Sequence, residues 1–438
     1  MSTPCSNGPG DPVSSNEPLD HHGSHRDLLW SGDHVQSQRI DAIFVPTIRT
    51  PAYLAAASRL AQDLECALVT LHSRQWTTAA RAAQRLPKSV DLIAIDVPDP
   101  ALLRLPRFQT SLLAAHKVFP RDPRRPPTDL SVKRNLGLVL SRLLGWSRVL
   151  FLDDDITGLN PADVLDAGGL LDTHNAVGLQ VGGFPDHSVV CHAYREAGGL
   201  QQSFIGGGAL AVHVQRSTSF FPDIYNDDWF FLLDGDKGIQ PIAVTGQVIQ
   251  YPYDPFRNPE RARNEEFGDV LAEGIYWLLD QHLSITDANE AHWARFLVKR
   301  RQFIDRVLAM VAESSLESAD KALRIAALKG SLGRLALITP ELCESYLRAW
   351  QADRQEWQRF VQELPAGLDR VAALRMLSSE SAPPVSSQLR NRSHRTADRQ
   401  TAKAPIVRAP ATGELSAPQF VARPVPASHP NRMAEPVA

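Results

Sequence analysis

Between residues 39 and 260 the chain alternates short apolar runs with segments whose apolar residues recur at helical spacing. Arg39–Val45, Cys66–Leu71 and Asp91–Ile95 read as buried strands, because each is an apolar run of strand length bounded by polar residues or proline. Pro46–Arg49 reads as a turn, and the Ala- and Leu-rich stretches 51–64 and 75–85 as the intervening helices. Residues 101–128, rich in Pro and Arg, read as a loop packing over the domain. A helix capped by Asp129 or Ser131 follows, with Val132, Leu136, Val139, Leu140, Leu143 and Leu144 on one face and Gly145 placed to end it. Arg148–Leu152 is then a core strand that runs into Asp153, Asp154 and Asp155. Strands without a polar face, alternating with helices, predict βαβ units on a mostly parallel sheet covered on both sides, an α/β fold.

From residue 261 the pattern turns helical, over 261–282, 288–313 and further amphipathic segments to about 376. Both ends lack the apolar residues needed to offset the entropy of ordering. The chain therefore divides into a disordered tail 1–38, an α/β domain 39–260, a helical extension 261–378 and a disordered Pro/Arg-rich tail 379–438. His21, His22, His25 and His34 fall in the first tail and read as solvated.

Composition narrows the class. A chain of 438 residues that is 43% hydrophobic can bury a full core, while a net charge of −3 with no dense Lys/Arg run offers no nucleic-acid interface. Cys5, Cys66, Cys191 and Cys343 form no CxxC pair, which argues against a zinc site and a secreted disulfide framework. No apolar run reaches the ~20 residues that span a bilayer. The expectation is a cytoplasmic enzyme without a transmembrane segment.

Asp153–Asp155 follow an apolar strand, and ligands of open α/β sheets bind at the carboxyl ends of strands. On an extended backbone Asp153 and Asp155 project to one side and Asp154 to the other. Two such carboxylates repel unless a cation lies between them, and a divalent ion bridging to a diphosphate meets that need; the bland alternative is a turn that caps the next helix. Lys133, Arg134 and Asn135, in the first turn of the preceding helix, bring positive charge and backbone N–H groups to the same edge. Gly206, Gly207 and Gly208 stand at the start of an apolar strand, where missing side chains permit close approach. Asp227 and Asp228 sit between Phe220, Phe221 and Tyr225 on one side and Trp229 and Phe230 on the other, surroundings that raise a carboxylate's pKa.

In order and spacing, Ile43–Arg49, Lys133–Gly137, Val149–Asp155, Gly206–Ala209, Ser219–Pro222 and Asn226–Trp229 resemble the motifs of family-2-like glycosyltransferases of the GT-A, or nucleotide-diphospho-sugar transferase, fold. The resemblance covers roughly residues 39–250. It implies a Rossmann-like mixed sheet flanked by helices. Pro46, Thr47 and Arg49 would line the nucleotide pocket, Arg134 and Asn135 would contact nucleotide or diphosphate, and Asp153 and Asp154 would lie against the donor. Asp155, with Asp153, would hold Mn²⁺ or Mg²⁺. Asp228, or failing it Asp227, would be the general base, with Gly206–Gly208 and Trp229 on the acceptor side. Where many members carry an Asp that pairs with the base, the second strand here ends in Ser73, which would line the nucleotide-sugar pocket in its place. The processive QxxRW motif is missing, so a single sugar transfer, with inversion, is implied; donor sugar, nucleobase, acceptor and oligomeric state are not specified. A sugar-nucleotide nucleotidyltransferase and a non-catalytic scaffold of the same fold are the alternatives.

Overall fold

The computed structural model describes residues 36–391 apart from Gln75, 117–118, 120–128, 184–187, 200–204 and 236–237. The first tail through residue 35, with its histidines, and the tail from 392 onward lie outside the described residues, as does most of the loop expected up to 128. The described residues belong to one of the chain's two units, Met1–Arg121 with Pro127–Arg392, so the sheet and the helices after 261 share a unit.

Five strands and four helices make up the first half: β1 (Ala42–Thr47), α1 (Ala55–Asp63), β2 (Ala67–His72), α2 (Ala79–Arg85), β3 (Leu92–Asp96), α3 (Gln109–His116), α4 (Leu130–Leu144), β4 (Arg148–Leu152) and the short β5 (Ile156–Thr157). Then come α5 (Pro161–Leu170), β6 (Ala176–Gly183), α6 (Val189–Glu196), β7 (Ala209–His213), α7 (Asp227–Phe231) and β8 (Ile242–Gln250). The remainder is α8 (Pro259–Asp280), α9 (Glu290–Glu313), α10 (Ser318–Leu335), α11 (Pro340–Glu363), α12 (Arg370–Met376) and β9 (Ser386–Arg390). One mixed sheet holds all the strands in the order β5-β8-β6-β7-β4-β1-β2-β3-β9. Strands β1, β2, β3, β4, β6 and β8 run one way, and β5, β7 and β9 run against them. The α/β, mostly parallel expectation is met.

Strand alternation explains why β1 reads as one apolar run. Ala42 and Phe44 enter a core shared with α4, α8, α9 and α11, while Ile43 and Val45 enter another shared with α1, α2 and α5. Phe44 stacks on Phe151 of β4 with ring centroids 5.5 Å apart. Burying such a ring contributes about 1.5–3 kcal/mol. Helix α4 ends at Gly145, as its spacing predicts. Its N-cap is Asp129, which makes no capping hydrogen bond and instead pairs with Lys133 at 3.0 Å.

Residues 386–390, assigned by composition to the second tail, form strand β9, which pairs antiparallel with β3. Apolar burial does not hold it. The backbone ladder does, together with Arg390, which donates to the carbonyls of Ala83, Leu86 and Val90. Among the described residues, no helix is long and apolar enough to cross a membrane.

Candidate active site at the carboxyl ends of the central strands

Sheet register brings the motifs together. Phe44 lies beside Phe151, so the continuing strands carry Thr47 to the level of Asp154, whose Oδ2 accepts the Thr47 hydroxyl at 2.5 Å. Leu152 lies opposite Ala209, which puts the preceding glycines beside the aspartates; the Asp153 N–H donates to the Gly208 carbonyl at 2.9 Å. Helix α4 leads into β4 and opens at the same edge, delivering Lys133 and Arg134.

Beyond Leu152 the backbone turns, with the Ile156 N–H on the Asp153 carbonyl, so the alternation expected of an extended Asp153–Asp155 does not hold. The aspartates divide differently. Asp154 and Asp155 share the Arg49 guanidinium, with Nη1 at 2.5 Å and 3.1 Å, and Asp153 turns to Arg134 at 3.3 Å. Burial raises the Asp154 pKa, against the opposing pull of Arg49 and Thr47. Arg49 itself is partly exposed and lies 5.1 Å over the Tyr53 ring. Tyr53 was not anticipated, although its position four residues after Arg49, where a helix begins, was the available signal. Pro46 is buried within β1.

Arg134 is the centre of the site. Its Nη1 donates to Asp227 Oδ1 at 2.8 Å while Nη2 reaches Asp153. Burial alone would lower its pKa, but Asp227, Asp153 and Asp228 outweigh that and keep the guanidinium charged. A Cβ on Gly207 would come within 2.7 Å of this guanidinium, so a side chain there would have to push Arg134 off its carboxylates. Gly207 also donates its N–H to Asp228 Oδ2, and Asp228 Oδ1 accepts the Trp229 N–H at 2.9 Å. Asp227 is buried, its Oδ2 has no hydrogen-bond partner, and burial pushes its pKa up to about 7 despite Arg134. Asp228 is the more accessible of the pair.

Other expected residues are placed elsewhere. Asn135 bonds the Phe221 backbone with both ends of its amide, donating at 2.8 Å and accepting at 2.9 Å, so it fastens α4 to the segment before α7. Trp229 packs edge-on against Tyr276, with centroids 4.7 Å apart, in the core. Ser73 accepts from Lys133 Nζ at 2.7 Å, and the same ammonium donates to the Thr47 carbonyl at 3.1 Å. Burial lowers the Lys133 pKa, with Asp129 opposing it. Gly206 precedes Gly207 at the same strand entry.

The oxygen ligands of Asp153 and Asp155 suit a hard cation. Among the described residues, though, no three His, Cys, Asp or Glu side chains gather into a site that could hold a metal ion. The chain matches no protein-family model and no curated protein.

Proposed function

We propose that the chain is a GT-A-type glycosyltransferase that moves a single sugar, with inversion, from a nucleotide-diphospho-sugar to an acceptor hydroxyl. One observation carries the reading: Arg134 joins Asp153 at the end of β4 to Asp227 at the start of α7, with Gly207 against its face and Asp228 on the Gly207 N–H. Cation, carboxylates and open backbone thus meet at the sheet edge where α/β folds bind ligands. Arg49, the more exposed of the two guanidiniums, is the group that meets the donor's diphosphate. Thr47 and Asp154 hold it in place. Asp228, kept in orientation by two backbone N–H groups, takes the acceptor's proton, a role that contributes about 10²- to 10⁴-fold in rate. If Mn²⁺ or Mg²⁺ binds, Asp155 is the carboxylate that would hold it, Asp153 being turned to Arg134, and the ion would supply positive charge for the leaving diphosphate.

Cys66, Cys191 and Cys343 are buried free thiols, in keeping with a cytoplasmic protein. A panel of UDP-, GDP- and dTDP-sugars, each with and without Mn²⁺, tests the reading by thermal shift, since a ligand of the native state raises the melting midpoint. At least one donor is expected to raise it in the wild type and not in Arg49→Ala. A panel that leaves the midpoint unmoved throughout would sink the proposal.

A further inference from the structure

Helix α8 lies off the sheet, yet it holds both the N-cap and the middle of the five-residue α7 that carries Asp227 and Asp228. At its middle, the Tyr276 hydroxyl donates to the Trp229 carbonyl at 3.1 Å. At the near end, Asp269 Oδ1 accepts from Asn226 Nδ2 at 3.0 Å. Asn226 is the residue immediately before Asp227, and its φ of 65° is left-handed, a conformation that Asn tolerates better than most residues but that still needs support. Gly268 lets α8 come that close, because a Cβ there would strike the Tyr225 carbonyl.

Asp269 is in turn fixed from behind. Arg300 of α9 donates to its Oδ2 at 2.8 Å, to both Glu266 oxygens at 2.9 Å and to Glu273 at 2.7 Å, all of them buried. Ser188, the N-cap of α6, bonds the same Asp269 carboxylate. A planar guanidinium shared in this way orders its carboxylates as well as neutralising them.

We infer that Asp269 is a positioning residue: acting through the Asn226 side chain, it sets the left-handed turn that points Asp228 at Gly207 and Asp227 at Arg134. Its consequence for catalysis rests on the reading of Asp228 as base. Asn226→Gly removes the tether while leaving the left-handed turn accessible, so the fold is kept. Misplacing a catalytic group by about an ångström costs on the order of 10²-fold. The expected result for Asn226→Gly, and for Asp269→Asn, is a kcat lower by about that factor with the donor KM nearly unchanged. Because the two residues act through one bond, the double variant should be no slower than the slower single one. Wild-type kcat in Asn226→Gly, or losses that multiply in the double variant, would overturn the inference. If Asp269→Asn does not fold, the Asn226→Gly result decides alone. If the wild type transfers no sugar at all, the functional proposal falls separately, and amide hydrogen exchange still reads the inference. Exchange at Gly207 and Trp229 should then rise in Asn226→Gly with the β4 amides unaffected; unchanged exchange at those two amides refutes it.

Discussion

Replacing Arg134 by Met removes one buried cation from among three carboxylates and keeps most of the side-chain volume. Arg134 is nearly inaccessible, and it holds Asp227 at 2.8 Å and Asp153 at 3.3 Å. Taking one partner out of a buried ion pair costs about 3–5 kcal/mol, because the remaining charge has neither water nor a counterion. That is a large part of the roughly 5–15 kcal/mol that holds a domain folded. The loss should also depend on pH. Burial already pushes Asp227 up to about 7, and Arg134 is the charge pulling it down, so without Arg134 its pKa rises further and the carboxyl is neutral at pH 6. Urea unfolding followed by fluorescence is therefore expected to show a loss of about 3–5 kcal/mol at pH 8 and a smaller one at pH 6. In an Asp227→Asn background the same substitution should cost less, with a coupling of about 0.5–3 kcal/mol. A loss below about 1 kcal/mol at pH 8, or equal losses in the two backgrounds, would refute the placement of Arg134 at the centre of the site.

Gly207→Ala puts a methyl group 2.7 Å from the Arg134 guanidinium and should destabilise by about 1–3 kcal/mol, an overpacking cost that a melting scan reads; wild-type stability would mean the strand entry lies elsewhere. Asp227, Glu265 and Glu266 are all pushed up to about 7 by burial. Between about pH 4, where unfolded carboxyls titrate, and pH 7 these groups stay protonated in the fold alone. Their stabilisation is therefore full at the acid end and lost as pH rises through about 7, while buried His72, His192 and His292, held neutral by burial, offset part of that loss below about pH 6.5. The urea midpoint should still fall from pH 5.5 to pH 8, and less steeply in Glu266→Gln, an unchanged slope in that variant contradicting the burial of Glu266. Removing the residues after Val385 deletes β9 and uncovers the β3 edge, and light scattering should then show more self-association than the full chain; no increase would mean β9 does not guard that edge.

How much of this was legible in the sequence depended on what each element is made of. Strands β1 to β4 and helix α4 declare themselves because both sheet faces are covered and most strand side chains are apolar, the polar ones falling mainly at strand ends. β9 is silent because Ser386-Ser-Gln-Leu-Arg390 is held by backbone, by Arg390 and by the Ser386 hydroxyl on Asp96, for which an apolar pattern has no signal. The site residues were found as motifs, but their pairing was not: reading Asp153–Asp155 as extended joined Asp153 to Asp155, and the turn after Leu152 joins Asp154 to Asp155 instead. Asn135 and Trp229 carry motif-like neighbours yet serve packing, since their backbone and ring partners lie far away in sequence. The Arg300 cluster was missed because charged residues on a helix read as solvated. The signal was present in Glu266, Asp269 and Glu273, which recur at helical spacing along one stripe of α8.

The most direct measurement is the nucleotide product released by wild type and Asp228→Asn, each incubated with a binding donor sugar and candidate acceptors. If the site works as proposed, the wild type releases nucleoside diphosphate, and Asp228→Asn does so about 10²- to 10⁴-fold more slowly while the donor still raises its melting midpoint. Equal rates in the two proteins, or pyrophosphate released from sugar 1-phosphate and a nucleoside triphosphate in place of that reaction, would contradict it.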